Sequence, residues 1–375
     1  MTLGAFTSSL AAGPFAIWLG RKQGLYVACV LSVVSCIMQI TTTTKGVVYL
    51  GRLLLGAANG FYASFSTIYL AESAPAHLRG VITALFTFWI QIGNIIGTII
   101  DYYTQTRLDK SAYQIPLGCL FIVPVLLVIA LPFIPESPRY LLYRGKDTEA
   151  RKSLEFLRSN SVSQEYIEFE WAEMIRGREE ENKHATGARW VDMFRGVDLR
   201  RTLLCYGAIA IQTACGIWFA IPYQTYFYAI IGVKKPFLYS IMNTCLGFSG
   251  VICGMVVMRH FLGRRPILIA GAIVVGLCQL ATAIAWSVDA TASSTLNILI
   301  GCWAVFFFFY GGSVGTASYP VATEAVSNRL RAWTVGSATS LSYVLAWVCS
   351  FCTPYFINPT QLNWVLSHSR KTCQT

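Results

Sequence analysis

The chain has 375 residues, 55% of them hydrophobic and only 13% charged, with a mean hydropathy of +0.53. A soluble domain carries about 25% charged residues, so a soluble globular protein is excluded. The formal net charge of +11 invites a nucleic-acid reading, but the one long polar stretch, 135–201, holds thirteen basic and thirteen acidic residues and is neutral. Nucleic acid is therefore excluded as a partner.

Apolar runs recur at 2–19, 25–42, 46–68, 80–101, 115–134, 203–223, 237–258, 266–287, 294–318 and 333–356. Each is close to the 20 or so residues that cross a hydrocarbon core about 30 Å thick. They are apolar all round, without the period-2 alternation of barrel strands, so they read as helices. The sequence predicts an all-α polytopic membrane protein with about ten transmembrane helices and the lipid bilayer as its surroundings.

The first run lacks a basic leading region and is followed by Arg21–Lys22, so it is not a signal peptide. Alternating the loops from that point puts 21 Lys/Arg on one side and 8 on the other. By the positive-inside rule the richer side, with the segment 145–195, is cytoplasmic, and both termini lie outside. Within the middle segment, "DTEARKSLEFLRS" and "SQEYIEFEWAEMIRGREEEN" predict short amphipathic helices. Late in the chain, "YGGSVGTASYP" (310–320) is poor helix material and is expected to bend during the transport cycle.

The twelve cysteines do not form a disulfide framework: Cys29, Cys36, Cys205, Cys215, Cys245, Cys253, Cys278 and Cys302 lie inside apolar runs, where a thiol behaves as a small hydrophobe. Cys349 and Cys352 make the one C-x-x-C, with no further ligand close by, and His77, His184, His260 and His368 form no metal or catalytic motif. No cofactor, metal or enzymatic reaction is expected.

Two signatures repeat. "ESAPAHLRG" begins at Glu72 and "EAVSNRLRA" at Glu324, and in each a glutamate precedes an arginine by seven residues (Arg79, Arg331), at an offset of 252. "LGRK" at 19–22 recurs as "LGRR" at 262–265, an offset of 243. A parallel internal repeat is one way a transporter builds a central site with alternating access. A plainer reading makes each charged pair a helix cap.

With "GRLLLG" (51–56), "PESPRYLL" (135–142) and "GRRP" (263–266) added, the chain resembles the sugar porter branch of the major facilitator superfamily, its fungal members in particular. The resemblance implies the major facilitator fold of two pseudo-repeated helical bundles, here 1–134 and 202–358, joined by the cytoplasmic segment 135–201 and followed by a polar tail at 359–375. The family has twelve spans. The ten runs correspond to its second through eleventh, and a chain short of two spans is expected to transport poorly.

The resemblance also implies a cytoplasmic gate of Arg21, Glu72, Arg79, Glu136, Arg139, Arg264, Arg265, Glu324 and Arg331. The family carries an acid where this chain has Ile17 and His260, so the arginines lack their usual partners. Arg52 lies near the outer end of its span. In proton-coupled relatives it faces an aspartate on the first family span, so protons stay open as a coupling partner.

A sugar site needs neutral hydrogen-bonding groups beside aromatic faces. Thr87, Gln91 and Asn94 share one helix face at i, i+4 and i+7, and Gln212, Trp218, Asn243, Tyr319 and Ser342 are further polar or aromatic candidates in apolar runs. Gln212 and Asn243 match contacts of the family's glucose carriers, whereas Thr87, Thr213, Trp218 and Tyr319 replace other family residues. The plainer reading of each polar group is a hydrogen bond to a neighbouring helix. Gly56-x-x-x-Gly60 and Gly93-x-x-x-Gly97 are expected to allow close helix approach.

The leading function is transport of a sugar or sugar-like polyhydroxy solute, with the plasma membrane as the expected location. Transport of a non-sugar metabolite, and a non-transporting sensor or inactive paralogue, are the alternatives.

Overall fold

The computed structural model describes residues 1–42, 44–75, 78–107, 109–158, 162–183, 190–230, 232–288, 293–327 and 330–357. Side chains at 17, 79–81, 180–183, 190–191, 230, 293–294, 331–332 and 354–357 lie outside that description. Helices occupy all ten predicted apolar runs, and no strand occurs among the described residues. Eight of the runs are long and apolar enough to cross a membrane by length and composition. The other two are α1 (Thr2–Trp18) and α3 (Lys45–Ser73), which pack together.

The chain forms two compact units, a partition by contact and not by repeat. The first comprises Met1–Phe86, Tyr113–Ala208 and Tyr319–Tyr343, and the second Thr87–Ala112, Ile209–Ser318 and Val344–Thr375.

In the first unit α1, α2 (Arg21–Thr41) and α3 enclose a core of Ala12, Ala16, Leu25, Ala28, Phe61, Phe65 and Leu131. The expected Gly56/Gly60 approach is present: a Cβ on Gly56 would collide with the Met1 carbonyl, and one on Gly60 with Ala5 O and Ser8 Oγ of α1. α4 (Arg79–Thr104) begins here and passes into the second unit at Thr87.

The fifth run is two helices, α5 (Ser111–Cys119) and α6 (Ile122–Ala130). Pro116 and Pro124 each withhold an N–H from this run. α7 (Pro138–Tyr143), α8 (Asp147–Arg158) and α9 (Gln164–Lys183) follow, with Leu141, Leu142 and Ala150 packed against Trp171 and Met174. The two helices expected in the middle segment are thus α8 and α9.

The run at 203–223 proves to be α10 (Gly196–Ala214), which passes from the first unit into the second at Ile209, and α11 (Ile217–Ile230), broken at Gly216, which adopts φ +82°. α12 (Pro236–His260), α13 (Arg264–Val288) and α14 (Ser293–Tyr310) follow. One π turn, Gly311–Gly315, follows, and then α15 (Thr316–Ala325) and α16 (Arg331–Ile357), whose residues Tyr319–Tyr343 belong to the first unit.

α12 meets this region backbone to backbone. A Cβ on Gly250 would strike the Phe308 carbonyl, and one on Gly254 the Gly312 carbonyl. The corresponding expectation for Gly93 and Gly97 is overturned, because a Cβ on either meets nothing within 4 Å. The packed face of α4 is the polar one: Thr98 Oγ1 lies 3.3 Å from Thr244 Oγ1 on α12.

Candidate functional site

The first candidate region is the turn between α1 and α2. Gly20, at φ +91°, is the N-cap of α2 and has no side chain with which to cap it. Glu136 takes over that duty. Its carboxylate accepts from the backbone N–H of Arg21 (3.2 Å), Lys22 (3.1 Å) and Ser137 (3.0 Å), placing an anion where the helix dipole is positive. Burial pushes this carboxyl above its ordinary value. The N–H groups of Ser137 and Lys22, the Arg21 charge and the Arg21 N–H pull the other way.

Arg21 is nearly buried. Its Nη2 donates to Glu72 Oε1 at 2.7 Å, its Nη1 donates to the Ala16 carbonyl at 2.9 Å, and its guanidinium lies 4.8 Å above the Tyr140 ring. The acid missing at Ile17 is therefore answered by a backbone carbonyl one residue earlier and by Glu72 across the turn. Glu72 Oε2 also accepts from Ser137 Oγ at 2.6 Å.

Four residues of "PESPRYLL" have separate tasks. Glu136 caps α2, Ser137 caps α7 by accepting from Tyr140 N, and Pro138 supplies a preset N1 position. Tyr140 offers its ring to Arg21, and Arg144 lies 5.7 Å over the same ring. Arg139 is half-buried in α7.

A second ionic anchor was not visible in the sequence. Arg158 at the end of α8 forks onto Glu170 of α9 (2.9 and 2.8 Å) and donates through Nη1 to the Ser73 carbonyl at the end of α3 (3.0 Å). Spacing gave no signal for it, since three separate elements converge.

The other expected gate residues belong to both units. Glu324 is half-buried in α15 of the first unit, while Arg264 and Arg265 open α13 in the second. The side chains of Arg79 and Arg331 lie outside the described residues.

The polar candidates of the second unit gather in two places. On α4, Thr87 Oγ1 donates to the Gly315 carbonyl of the π turn at 2.9 Å, which helps satisfy the distorted backbone there. Asn94 Nδ2 donates to Gln91 Oε1 at 2.8 Å, and Gln91 Nε2 lies over Gly247 of α12, where a Cβ would stand 2.7 Å away.

The second place is around Asn243, which is wholly buried. Its Nδ2 donates to Tyr228 OH at 2.8 Å and to Gln224 Oε1 at 3.3 Å. Gln212 is half-buried in the last turn of α10, and its carbonyl accepts from Tyr310 OH at 3.3 Å.

Aromatic residues line this region. Phe227 stacks on Trp303 with centroids 5.2 Å apart, and Phe306 stacks on Tyr310 at 5.9 Å. Trp218 packs against the same cluster. Tyr319 and Ser342 belong to the first unit, where Tyr319 meets Phe86 edge-on at 5.1 Å and Ser342 is buried. Gln224, Tyr228 and Trp303 were missed. The first two fall just past residue 223, where a single 20-residue span would stop, and Gln224 in an otherwise apolar stretch was the available signal.

Among the described residues no group of His, Cys, Asp and Glu could hold a metal ion, and the described cysteines are free. What the two units contain is a helical scaffold with a buried ionic cluster at one turn and neutral amides beside aromatic rings.

Those are features of a membrane carrier, and comparison with known proteins gives the family. A model of the sugar (and other) transporter family matches residues 1–366, and the chain belongs to that family. It is 27% identical over 368 residues to a major facilitator-type transporter of Aspergillus rugulosus, covering 96% of this chain and 68% of that one.

A probable glucose transporter of Neurospora crassa is also 27% identical, over 362 residues, covering 95% of this chain and 60% of that protein. The chain thus spans 60% to 68% of the length of these curated relatives. In backbone it matches a solved proton:xylose symporter bound to 6-bromo-6-deoxy-D-glucose. The TM-score is 0.85 at 19% identity, with 98% of this chain and 79% of that one covered. The fold is the major facilitator fold, and the protein is a multi-pass membrane protein of a transporter family.

Proposed function

We propose that the chain carries a sugar or sugar-like polyhydroxy solute across a membrane, at the plasma membrane, by alternating access. The two repeated bundles would be 1–134 and 202–358, linked through a cytoplasmic 135–201. The observation that carries this reading is the buried set of neutral amides and rings in the second unit: Asn243, Gln224 and Tyr228 beside Trp303. Hydroxyl groups want neutral donors and acceptors, and the apolar face of a sugar ring wants an aromatic plane.

Gln212, Asn243, Thr87, Gln91, Asn94 and Trp218 are the proposed solute contacts of that unit. Arg21, Glu72, Arg79, Glu136, Arg139, Glu324 and Arg331 of the first unit, and Arg264 and Arg265 of the second, are the proposed gating elements. A bistable carrier needs ionic contacts that hold one conformation and release in another. Support for protons as a co-transported partner comes from the solved neighbour, a proton:xylose symporter.

The test is uptake of labelled hexoses, pentoses, disaccharides and polyols by the full chain in proteoliposomes, with and without a proton gradient. Saturable uptake of at least one of them is the expected result, reduced at least tenfold by Asn243→Ala. Uptake of none, with saturable uptake of an unrelated metabolite, would move the function to a non-sugar solute on the same scaffold. The changed family contacts at Thr87, Thr213, Trp218 and Tyr319 favour that second reading.

A further inference from the structure

We infer that Gln224 and Tyr228 are positioning residues that hold the Asn243 amide as a pure hydrogen-bond acceptor for a hydroxyl of the solute. The inference rests on the transport reading and refines it.

A primary amide has two N–H donors and one carbonyl oxygen with two lone pairs. In Asn243 the nitrogen is fully used, by Gln224 Oε1 at 3.3 Å and Tyr228 OH at 2.8 Å. Its Oδ1 is buried and has no hydrogen-bond partner among the described residues. Buried acceptors are almost always partnered, and an orphan is retained where something else satisfies it.

Gln224 and Tyr228 both meet the amide on its nitrogen side. Turning the Asn243 amide alone would set Oδ1 against Gln224 Oε1, acceptor against acceptor, so reversal requires the Gln224 amide to turn as well and Tyr228 OH to donate where it now accepts. Gln224 is 2% exposed and Tyr228 wholly buried, so neither is free to swing away. Tyr228 is held among the rings of Trp303 (5.8 Å), Tyr239 (5.9 Å) and Phe227 (6.5 Å).

In this arrangement the only capacity Asn243 has left is to accept. A solute group meeting it must bring a proton, as a hydroxyl does and an ether oxygen or a fluorine does not. This makes the site selective for the hydrogen on the hydroxyl and not merely for its oxygen.

The experiment uses the full chain in proteoliposomes and labelled D-glucose, with the monodeoxy and monofluoro derivatives of each ring position as competitors. At one position the deoxy and fluoro compounds should be weakened alike, by about three- to tenfold, the worth of one neutral hydrogen bond. In Gln224→Met combined with Tyr228→Phe the freed amide can present N–H, and the fluoro compound at that position should recover relative to the deoxy compound.

Wild-type competition by every fluoro derivative as good as that of D-glucose itself would overturn the assignment, and that panel needs no variant to fold. So would a variant that weakens all competitors by one common factor, which is what a merely structural role would do. Absence of saturable uptake of any sugar would instead overturn the transport reading, and this refinement would fall with it.

Discussion

Arg21 and Glu72 meet at 2.7 Å with less than a tenth of either side chain exposed, although 51 residues separate them in the chain. Breaking a buried pair by removing one partner costs about 3–5 kcal/mol, because a charge is stranded in a poor solvent for it. Arg21→Met should lower the melting temperature of the detergent-solubilised protein markedly. Arg21→Met with Glu72→Met should recover part of that loss, since no carboxylate is then left behind. A double variant no more stable than the single one would mean that Arg21 acts through the Ala16 carbonyl and the Tyr140 ring alone.

Gly20 is tied to Glu136 by space as well as by conformation. A Cβ there would stand 2.8 Å from Glu136 Oε2 and 2.9 Å from the Tyr140 ring, on a backbone at φ +91°. Gly20→Ala should destabilise by roughly 1–3 kcal/mol, the cost of a strained residue in a sparsely populated region. Gly118→Ala is the control, because a Cβ at Gly118 meets nothing within 4 Å. Equal thermal stability of the two variants would remove the argument that Gly20 exists to admit the Glu136 cap.

These relationships show where sequence reasoning reaches and where it stops. Span positions were legible because a 20-residue apolar run leaves few structural options in a bilayer. The stretch at 310–320 reads as poor helix material, yet only Gly311–Gly315 departs from the α-helix and 316–320 is regular, whereas α8 and α9 were legible as charged stretches with helical spacing. The break at Gly216 was not, because one glycine in an apolar run reads equally as packing. Missing that break shortened the span and hid Gln224 and Tyr228. The Gly93/Gly97 expectation failed for a related reason. A small-residue pair permits close approach but does not specify a partner, and on α4 the partnered face is the one bearing Gln91 and Thr98. The "PESPRYLL" residues stood out as a motif, yet that Glu136 would cap a helix 115 residues earlier is a tertiary fact.

The glycines of α12 make a sharper prediction. Gly250 and Gly254 admit the carbonyls of Phe308 and Gly312 to a distance no side chain allows. Gly250→Ala should therefore lose folded protein or several degrees of melting temperature, as overpacking of a tight contact typically costs about 1–3 kcal/mol. Gly276→Ala, on α13 with nothing within 4 Å of its Cβ, should be neutral or slightly stabilising. Tolerance of alanine at both positions would show that α12 and the π-turn region can separate without loss.

The last prediction concerns the Glu136 carboxyl, on which burial and its partners act in opposite senses. Burial dominates and raises its value above the ordinary 4.5. A carboxyl that holds its proton more tightly in the folded protein than in the unfolded chain stabilises the fold below the ordinary value. That contribution is lost as the pH rises through the raised value. The stability difference between the wild type and Glu136→Gln should accordingly fall, moving against the wild type, as the pH is raised from about 4.5 through the raised value, and level off above it. Chemical or thermal unfolding of both proteins over that range measures the difference directly, and other titrating groups cancel in the subtraction to the extent that the variant leaves them undisturbed. A difference that grows with pH would reverse the sign. It would mean that the three N–H groups and Arg21 outweigh burial, so that the cap on α2 works best as a full anion.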